Sequence, residues 1–481
     1  MEDPAAATIS ILLCVVLCAV SALMALDYSS YWLRFSKSGA RLPKGTFSWP
    51  IIGETVALTR DPLGFAISHQ KKYGSIFKSS VYLKKTILGT TPEFAKFVAL
   101  NPTVFHVQYP KNVEFICPNA VLFADGHRHV AVKRIFKKLT IPESSPTMVQ
   151  ALESIILENL ASWKEQGTVV GREATDKLVA DLTSYIAVGV KSIRSTPEGR
   201  LAVKNLLTMV EGIGGIPINL PGTTHNKGRK ARAAVKSYLK SVVEQRKNQV
   251  DNEPDILRSL LEAREQARGD ELKYYDEDNI TDDIVGSWFG AFKTTATTLT
   301  WTLKFLVDHP DIFRRIQAEQ QEILKGKDLS VEGPRLTWED TKRMAYTSKF
   351  YQEVQRSLSI SYVIPRKAAQ DVVYDGFLIP KGWAVLPLLN YVHHDPAKYE
   401  DPESMNPDRF NVPPKPNTYI PFGLGAHRCP GEEITKLIFF IHVHHLTTTY
   451  KYESIGPDQG IENRGFPIII GGYPIKVSRW T

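Results

Sequence analysis

The chain contains few cysteines, and they are not arranged in pairs. Its 481 residues include four, at Cys14, Cys18, Cys117 and Cys429. Two lie in an apolar leader and the other two are far apart, so the sequence offers neither a disulfide framework nor a Cys-x-x-Cys metal motif. This cysteine usage predicts that the main body of the protein belongs in a reducing compartment.

The sequence also lacks the features that would divide it into separate units. No Gly/Ser linker, internal repeat or low-complexity block interrupts it. The composition is 43% hydrophobic and 23% charged, which excludes a disordered chain and allows a large core. We therefore expect one large domain. The formal net charge is +8, but the basic runs carry no aromatic platform or recognised nucleic-acid motif, so nucleic acid is not an expected partner.

Charge is absent from the twenty residues between Ala7 and Leu26. That length suffices for a helix to cross the hydrocarbon layer of a membrane. A cleaved signal peptide is the alternative, but the preceding Glu2 and Asp3 are acidic and no clear small-x-small cleavage site follows. We predict that residues 1–26 form a membrane anchor.

The cations that follow the apolar run predict the orientation of the chain. Arg34, Lys37, Arg41 and Lys44 come directly after it, and positive residues favour the cytosolic side. Residues 27–50 are basic and include prolines that restrict the backbone, which indicates a stiff hinge. The expected organisation is an anchor (1–26), a hinge (27–50) and a cytosolic catalytic domain (51–481).

After the hinge, apolar residues recur mostly at three- and four-residue spacing, which indicates helices. The predicted helices span residues 62–73, 145–166, 227–250, 282–308 and 337–357. Strand patterns cover residues 75–88, 372–379 and 384–388. The predicted fold class is mainly α with a small β-sheet region.

The most informative motif is Phe422-Gly-Leu-Gly-Ala-His-Arg-Cys-Pro-Gly431. Its glycines allow the backbone to turn tightly around a flat ligand, and its single cysteine is suited to present a thiolate to haem iron. A buried structural cysteine in a glycine-rich turn is the alternative. The spacing of Phe422, His427, Cys429 and the glycines resembles the cysteine loop of the cytochrome P450 enzymes. The resemblance implies that Cys429 is the axial ligand of the haem iron and that Phe422 packs beside its sulfur.

A second constellation combines a carboxylate with two guanidinium groups. Glu353 and Arg356 stand three residues apart, on one face of a predicted helix, where a surface salt bridge would be the ordinary interpretation. However, Pro407-Asp-Arg-Phe410 resembles the second arginine motif of the same family. The resemblance implies that Glu353, Arg356 and Arg409 form a buried structural triad behind the haem, which burial permits only if every charge is paired.

Four residues match positions at which the family binds the haem propionates. Arg366 follows the triad helix, and His427 lies in the cysteine loop. His129 and Lys133 resemble the family's Trp/His-x-x-x-Arg pair, with lysine in place of arginine. A lysine can bind a propionate as a point charge but loses the bidentate fork of arginine.

The segment Gly290-Ala-Phe-Lys-Thr-Thr295 resembles the oxygen-activating part of the family's central helix. There the family uses a small residue, an acid and a threonine that assists proton delivery. Thr294 matches the threonine, whereas Lys293 stands where the acid is expected. A lysine is a cation near neutral pH and relays protons poorly. Lys293 therefore either points to solvent, while water and Thr294 supply the relay, or marks an atypical haem reaction such as isomerisation or dehydration.

The resemblance covers the chain from about Leu42 to its end. Leu336-Thr-Trp-Glu-Asp-Thr-Lys-Arg-Met344 and Ile379-Pro-Lys-Gly-Trp383 are most similar to abscisic acid 8′-hydroxylases, among the plant microsomal enzymes that oxidise terpenoid hormones and sterols. Brassinosteroid, gibberellin-precursor and triterpenoid oxidases share some of these segments. The resemblance thus indicates the group better than the substrate.

The expectations for function follow from this resemblance. It implies a cytochrome P450 fold behind a transmembrane helix, a haem cofactor, NADPH as electron source through NADPH–cytochrome P450 reductase, and an endoplasmic reticulum membrane location. The predicted reaction is monooxygenation of an apolar terpenoid or sterol. A haem-dependent isomerase or dehydratase and a non-catalytic haem-binding sensor are the alternatives. The candidate pocket residues are Phe289, Gly290, Val363 and Phe466.

Overall fold

The computed structural model describes residues 39–47, 53–139, 146–214, 218–247, 255–327, 335–463 and 467–480, together with the isolated positions 15, 18 and 22. Most of the predicted anchor and much of the predicted hinge lie outside these residues. Within the described ranges, no helix combines the length and the apolar character that crossing a membrane requires. The part of the hinge that is described packs on the body of the protein, since Arg41 bridges to Phe377 and Gly45 to Lys78.

The described chain is mainly helical. Its helices are α1 (Thr55–Arg60), α2 (Pro62–Tyr73), α3 (Pro92–Leu100), α4 (Lys111–Glu114), α5 (Gly126–Leu139), α6 (Pro146–Gln166), α7 (Gly171–Val188), α8 (Pro197–Glu211), α9 (Thr224–Lys247), α10 (Ile256–Gln266), α11 (Glu277–Asp308), α12 (Pro310–Leu324), α13 (Trp338–Lys342), α14 (Ala345–Leu358), α15 (Leu389–His394) and α16 (Glu432–Thr448).

Side-chain caps fix where several of these helices begin. Asp61 and Thr91 accept hydrogen bonds from backbone N–H groups in the first turns of α2 and α3, each of which starts with proline. Asp276 caps α11 in the same way, so this helix begins at Glu277, five residues before the predicted start. The prediction for residues 62–73 is confirmed at both ends.

The single helix predicted over residues 337–357 is wrong, because two helices occupy that segment. Thr337 and Asp340 form a reciprocal capping box that starts α13. The helix stops after Lys342, and Met344 takes a non-helical ψ of 61° before α14 begins at Ala345. Helical periodicity on both sides of the break concealed it from the sequence pattern.

The strands form four small sheets. They are β1 (Ile76–Val81), β2 (Lys84–Gly89), β3 (Phe105–Val107), β4 (Thr168–Val170), β5 (Arg366–Ala368), β6 (Val372–Tyr374), β7 (Phe377–Ile379), β8 (Ala384–Pro387), β9 (Tyr450–Ser454), β10 (Ile461–Asn463), β11 (Pro467–Ile469) and β12 (Pro474–Arg479). The largest sheet has the order β1-β2-β8-β5-β3, and the others pair β4-β12-β9, β10-β11 and β6-β7.

Tight hairpins divide two of the predicted strand segments. Tyr82 and Leu83 both have positive φ, at 52° and 60°, and connect β1 to β2. Asp375 and Gly376 do the same between β6 and β7, at 49° and 73°. Two consecutive residues with positive φ match the twist of antiparallel strands, so each continuous strand pattern becomes a hairpin.

The long helix α11 organises the helical core. It packs most extensively against α7 and also contacts α9, α12, α14 and α16. Trp288, Phe292 and Leu299 of α11 belong to the same buried cluster as Leu178 and Leu182 of α7. The central position of α11, the triad helix α14 and the loop that precedes α16 together define the candidate site.

Candidate active site

The loop that carries Cys429 leads directly into α16. Gly423 and Gly425 have positive φ, at 74° and 69°, and the backbone N–H of Cys429 donates to the carbonyl of Phe422 at 2.9 Å. A Cβ atom on Gly425 would lie 2.5 Å from the carbonyl oxygen of Ala99 in α3. Glycine is therefore required both by the turn and by the close approach to α3.

The Cys429 side chain is accessible although protein surrounds it. The residue is exposed, yet desolvation by the surrounding protein raises the pKa of the thiol, while a hydrogen bond from the Gly431 backbone, Lys133 and Arg428 act in the opposite direction. The Cys429 sulfur binds iron well once the thiol is deprotonated, and a metal ion would stabilise that thiolate.

Helix α11 opens a gap in the core at Gly290. Trp288, Phe292 and Thr295 are buried, whereas Gly290 is exposed in the middle of the helix. A Cβ atom on Gly290 would meet nothing within 4 Å, which places open space beside the backbone. The hydroxyl of Thr294 donates to the carbonyl of Gly290 at 2.7 Å, so it lies at this open face.

Tyr109 connects the cysteine loop with α11. The phenol is surrounded by protein, and its pKa is raised by desolvation and by the nearby Cys429 and Cys117, while Arg366 lowers it. The Cys117 sulfur lies 3.5 Å from the Cβ position of Gly286 in α11. Tyr109 therefore lies close enough to Cys429, Cys117 and Arg366 for their charges to affect its pKa, and sequence analysis did not single it out.

Arg366 is a buried cation without a carboxylate partner. It begins β5 and is almost fully buried, and its guanidinium donates to the carbonyl of Pro365 at 2.9 Å. In the described parts of the chain, no carboxylate lies within 4.0 Å of it. Burial lowers the pKa of the guanidinium, with Tyr109 and Asp125 opposing the shift. A buried, unpaired guanidinium indicates a site for an anion.

Three further groups of basic character lie near Arg366. The rings of His129 and His427 stack with centroids 3.9 Å apart, and Lys133 donates a hydrogen bond to the carbonyl of Ala426 in the cysteine loop. Asp125 is the acid beside them, with Oδ1 3.1 Å from His427 Nε2. The structure thus brings together all four residues that the sequence assigned to the propionates.

Burial and neighbouring positive charge both disfavour the protonated forms of these groups. Burial is the main cause, and the neighbouring cations add to it: the pKa of His129 falls to about 4, that of His427 to about 3 and that of Lys133 to about 8. A negatively charged ligand would relieve both effects. The two carboxylates of haem match this requirement, so the residues present fit the cofactor.

The predicted triad is assembled with its charges paired. Glu353 is fully buried and accepts hydrogen bonds from Arg356 at 2.8 and 2.9 Å, from Arg409 Nε at 3.1 Å and from the backbone of Asn406 at 3.0 Å. Arg356 also donates to the carbonyl of His393 at 2.8 Å. Complete pairing is what allows these charges to lie in the core.

Comparison with known proteins identifies the family. The cytochrome P450 family model matches residues 43–476. The chain belongs to the cytochrome P450 family. Its fold agrees with this assignment, since the solved structure of retinoic acid-bound cyanobacterial CYP120A1 superimposes with a TM-score of 0.82 at 25% sequence identity, over 92% of this chain and 100% of that one.

The similar curated relatives include abscisic acid 8′-hydroxylases of different plants. Abscisic acid 8′-hydroxylase 2 of Arabidopsis thaliana is 37% identical over 452 residues, which cover 93% of this chain and 92% of that protein. An abscisic acid 8′-hydroxylase of Solanum lycopersicum is 35% identical over 470 residues, or 95% and 96% of the two chains. This P450 is therefore a monooxygenase of a family that binds haem through a cysteine thiolate.

Lys293 of this P450 does not extend freely into solvent. Its Nζ lies 2.8 Å from Oδ2 of Asp176 in α7, and the two side chains are only 15% and 16% exposed. The ammonium also lies 5.1 Å from the centroid of the Phe292 ring. The expectation of a solvent-directed lysine is wrong because α7 places a carboxylate within reach.

The candidate pocket residues fall in different surroundings. Phe289 is partly buried and packs against the main core, and Phe422 packs against the same cluster. Val363 packs against a second cluster and pairs with Leu388. Gly290 is an exposed position in the middle of α11. Phe466 lies outside the described residues.

His393 connects the triad helix to the cysteine loop, a role that no sequence signal indicated. Its Nε2 accepts a hydrogen bond from the backbone of Ile420 at 3.0 Å. Its Nδ1 therefore carries the proton in the neutral ring and donates to the hydroxyl of Ser359 at 2.7 Å. Ser359 ends α14 with a φ of 40° and donates to the carbonyl of Arg356. His393 thus positions the segment that leads into the loop.

We expect His393→Ala to lower the free energy of unfolding by about 2 kcal/mol and to reduce the fraction of thiolate-ligated haem, because the Ile420 N–H and the Ser359 hydroxyl lose their partner. His393→Gln keeps an acceptor at the Nε2 position and should restore most of the thiolate fraction. Thermal unfolding and the spectrum of the carbon monoxide complex measure the two effects. Equal spectra for the alanine variant and the natural protein would contradict the positioning role.

Proposed function

We propose that this P450 is a membrane-associated haem-thiolate monooxygenase that hydroxylates an apolar terpenoid-type substrate, such as abscisic acid or a specialised terpenoid or sterol. The observation that carries the proposal is the exposed Cys429 in a glycine-turned loop, which lies close to Lys133, to the stacked His129 and His427 rings and to the buried Arg366. The similarity to abscisic acid 8′-hydroxylases supports a terpenoid substrate.

The cofactor-binding roles follow from the chemistry of each group. Cys429 would supply the thiolate that holds the haem iron, and bound haem would supply the chemistry that activates oxygen. Arg366, Lys133, His129 and His427 hold the propionates by charge and hydrogen bonds. Phe422 lies at the start of the loop and shields the sulfur. Glu353, Arg356 and Arg409 do not contact substrate in this proposal but hold the loop and its surroundings in place.

Thr294 is the residue that handles protons at the open face. Its hydroxyl is anchored on the Gly290 carbonyl, and a hydroxyl can rotate to donate to a group in the gap while it accepts a hydrogen bond from water. The Lys293 ammonium is paired with Asp176. It is therefore not available to take part in an isomerisation or dehydration that uses no NADPH. The isomerase or dehydratase alternative therefore has no structural support.

The substrate pocket in this proposal is apolar. Phe289, Gly290, Val363 and Phe466 are its candidate lining, and none of them carries a charge. An apolar lining with a few polar groups is typical of sites that bind apolar small molecules.

The expected redox partner is NADPH–cytochrome P450 reductase. The run from Lys133 to Lys138 in α5 is basic and includes a residue that contacts the cysteine loop. A basic surface near the haem attracts an acidic electron donor. The remaining proposal concerns organisation: residues 1–26 anchor the chain in the endoplasmic reticulum membrane, residues 27–50 form the hinge, and residues 51–481 form a cytosolic catalytic domain in contact with membrane lipid.

The proposal is tested by co-expressing the full chain with a plant reductase in microsomes. Abscisic acid and a panel of terpenoids and sterols are supplied, and NADPH-dependent products are measured by mass spectrometry. We expect a product with one additional oxygen from at least one member. Oxygenation of abscisic acid would assign hormone catabolism, and oxygenation of another member would assign a specialised pathway. An isobaric or dehydrated product formed without NADPH would overturn the monooxygenase assignment.

A further inference from the structure

The ion pair between Asp176 and Lys293 joins α7 to α11. Leu178 and Val179 of α7 and Phe292 and Ala296 of α11, close to the pair in sequence, are buried apolar residues. Removing charges from water is costly unless the partner compensates, and loss of one partner leaves the other uncompensated. The pair therefore needs an explanation beyond packing.

Lys293 stands at the edge of the open face of α11. Successive residues of an α-helix are about 100° apart, so Lys293 lies about 60° around the axis from Gly290. Its side chain is long enough to bend either toward the gap or toward α7. Asp176 and the Phe292 ring hold the ammonium on the side of α7.

The charge of Lys293 matters because this part of α11 has no other. Between Asp283 and Lys304 it is the sole charged residue in the sequence. The other basic groups near Cys429 include Arg366, Lys133, His129 and His427, and these four fit the propionates. With Lys293 neutralised by Asp176, the face of α11 beside Gly290 and Thr294 presents no uncompensated charge.

We propose that Asp176 is a positioning residue that sets the specificity of the pocket: it withdraws the Lys293 ammonium from the open face, so that the part of the substrate lying against α11 is uncharged. The proposal rests on the proposed function and deepens it, because it states which chemical character the substrate has at this position. A carboxylate on the substrate would have to lie away from Gly290 and Thr294.

The test uses two ligands of the haem iron, so that it does not depend on knowing the natural substrate. Imidazole nitrogen binds iron; 4-phenylimidazole is neutral beyond that nitrogen, and 4-(imidazol-4-yl)benzoate carries a carboxylate at the far end of the ring. The dissociation constants of both are measured by spectral titration of the haem-loaded full chain. For the natural protein we expect the neutral ligand to bind at least about tenfold more tightly, the cost of placing one charge against an uncharged face.

Asp176→Asn frees the ammonium, and we expect the preference for the neutral ligand to fall by about tenfold or to reverse, because a cation then lies within reach of the carboxylate. The control is the double variant Asp176→Asn with Lys293→Met, which removes both charges and should keep the preference of the natural protein. Thermal unfolding of each variant checks that the fold is retained.

Three results would overturn the proposal. One is equal dissociation constants of the natural protein for the carboxylate ligand and the neutral ligand. This measurement does not depend on the folding of any variant. Another is an unchanged preference in a folded, haem-loaded Asp176→Asn protein. The third is a double variant, Asp176→Asn with Lys293→Met, that loses the preference as fully as Asp176→Asn alone, since the Lys293 ammonium would then not be the cause. None of these depends on turnover, so failure of the hydroxylation assay is a separate outcome.

Discussion

Cys429→Ser is expected to abolish NADPH-dependent product formation and the spectral signature of thiolate-ligated haem in the carbon monoxide complex. Serine keeps the shape of the side chain, but its hydroxyl is not ionised near neutral pH and supplies no anionic sulfur to the iron. The loop itself should persist, because the Cys429 N–H bond to Phe422 and the glycine conformations do not involve the sulfur. Haem content, the carbon monoxide spectrum and product yield measure the effect.

Cys117→Ala is the matched control. Cys117 is fully buried against α11, and desolvation raises its pKa well above the usual value, so it is a neutral thiol. Its truncation removes one buried atom and should cost about 1 kcal/mol of stability without changing the thiolate signature. If the Cys117 variant lost the signature and the Cys429 variant kept it, the assignment of the axial ligand would be wrong.

Glu353→Gln is expected to prevent accumulation of haem-loaded protein. The carboxylate is fully buried and compensates two guanidinium groups while accepting from the Asn406 backbone. Glutamine keeps the size but removes the charge, which leaves Arg356 and Arg409 uncompensated and costs about 3–5 kcal/mol. Since net stability of a protein is about 5–15 kcal/mol, this is a large fraction of it. Thermal unfolding and haem content of the purified protein measure the loss.

Glu339→Gln provides the control at the same spacing. Glu339 and Lys342 also stand three residues apart on a helix and lie 2.9 Å from each other, but they are 76% and 49% exposed. Water already solvates both charges, so the change should stay within about 0.5 kcal/mol. Equal destabilisation by the two substitutions would show that the triad is no more than an ordinary salt bridge.

Contiguous or helically spaced motifs were the features that could be predicted from the sequence. The cysteine loop contains its turn-forming glycines and its iron ligand within ten residues. Glu353 and Arg356 are three residues apart, so they lie on one face of a helix whatever the tertiary structure. Resemblance to the family added Arg409, Arg366, His129 and Lys133, which the structure gathers around Glu353 or the cysteine loop. The break at Met344 was missed, because periodicity continues across it.

By itself, the sequence determined the mainly helical fold class, the family and the cysteine that supplies the sulfur ligand, Cys429, since these depend on local spacing and on residue chemistry. Only the tertiary structure decided what the conspicuous lysine does, because Asp176 lies 117 positions before Lys293 and meets it through the packing of α7 on α11. The same holds for His393, whose two nitrogens reach Ser359 and Ile420 from a separate helix. Such contacts depend on how distant elements pack in three dimensions, and no local periodicity records that arrangement.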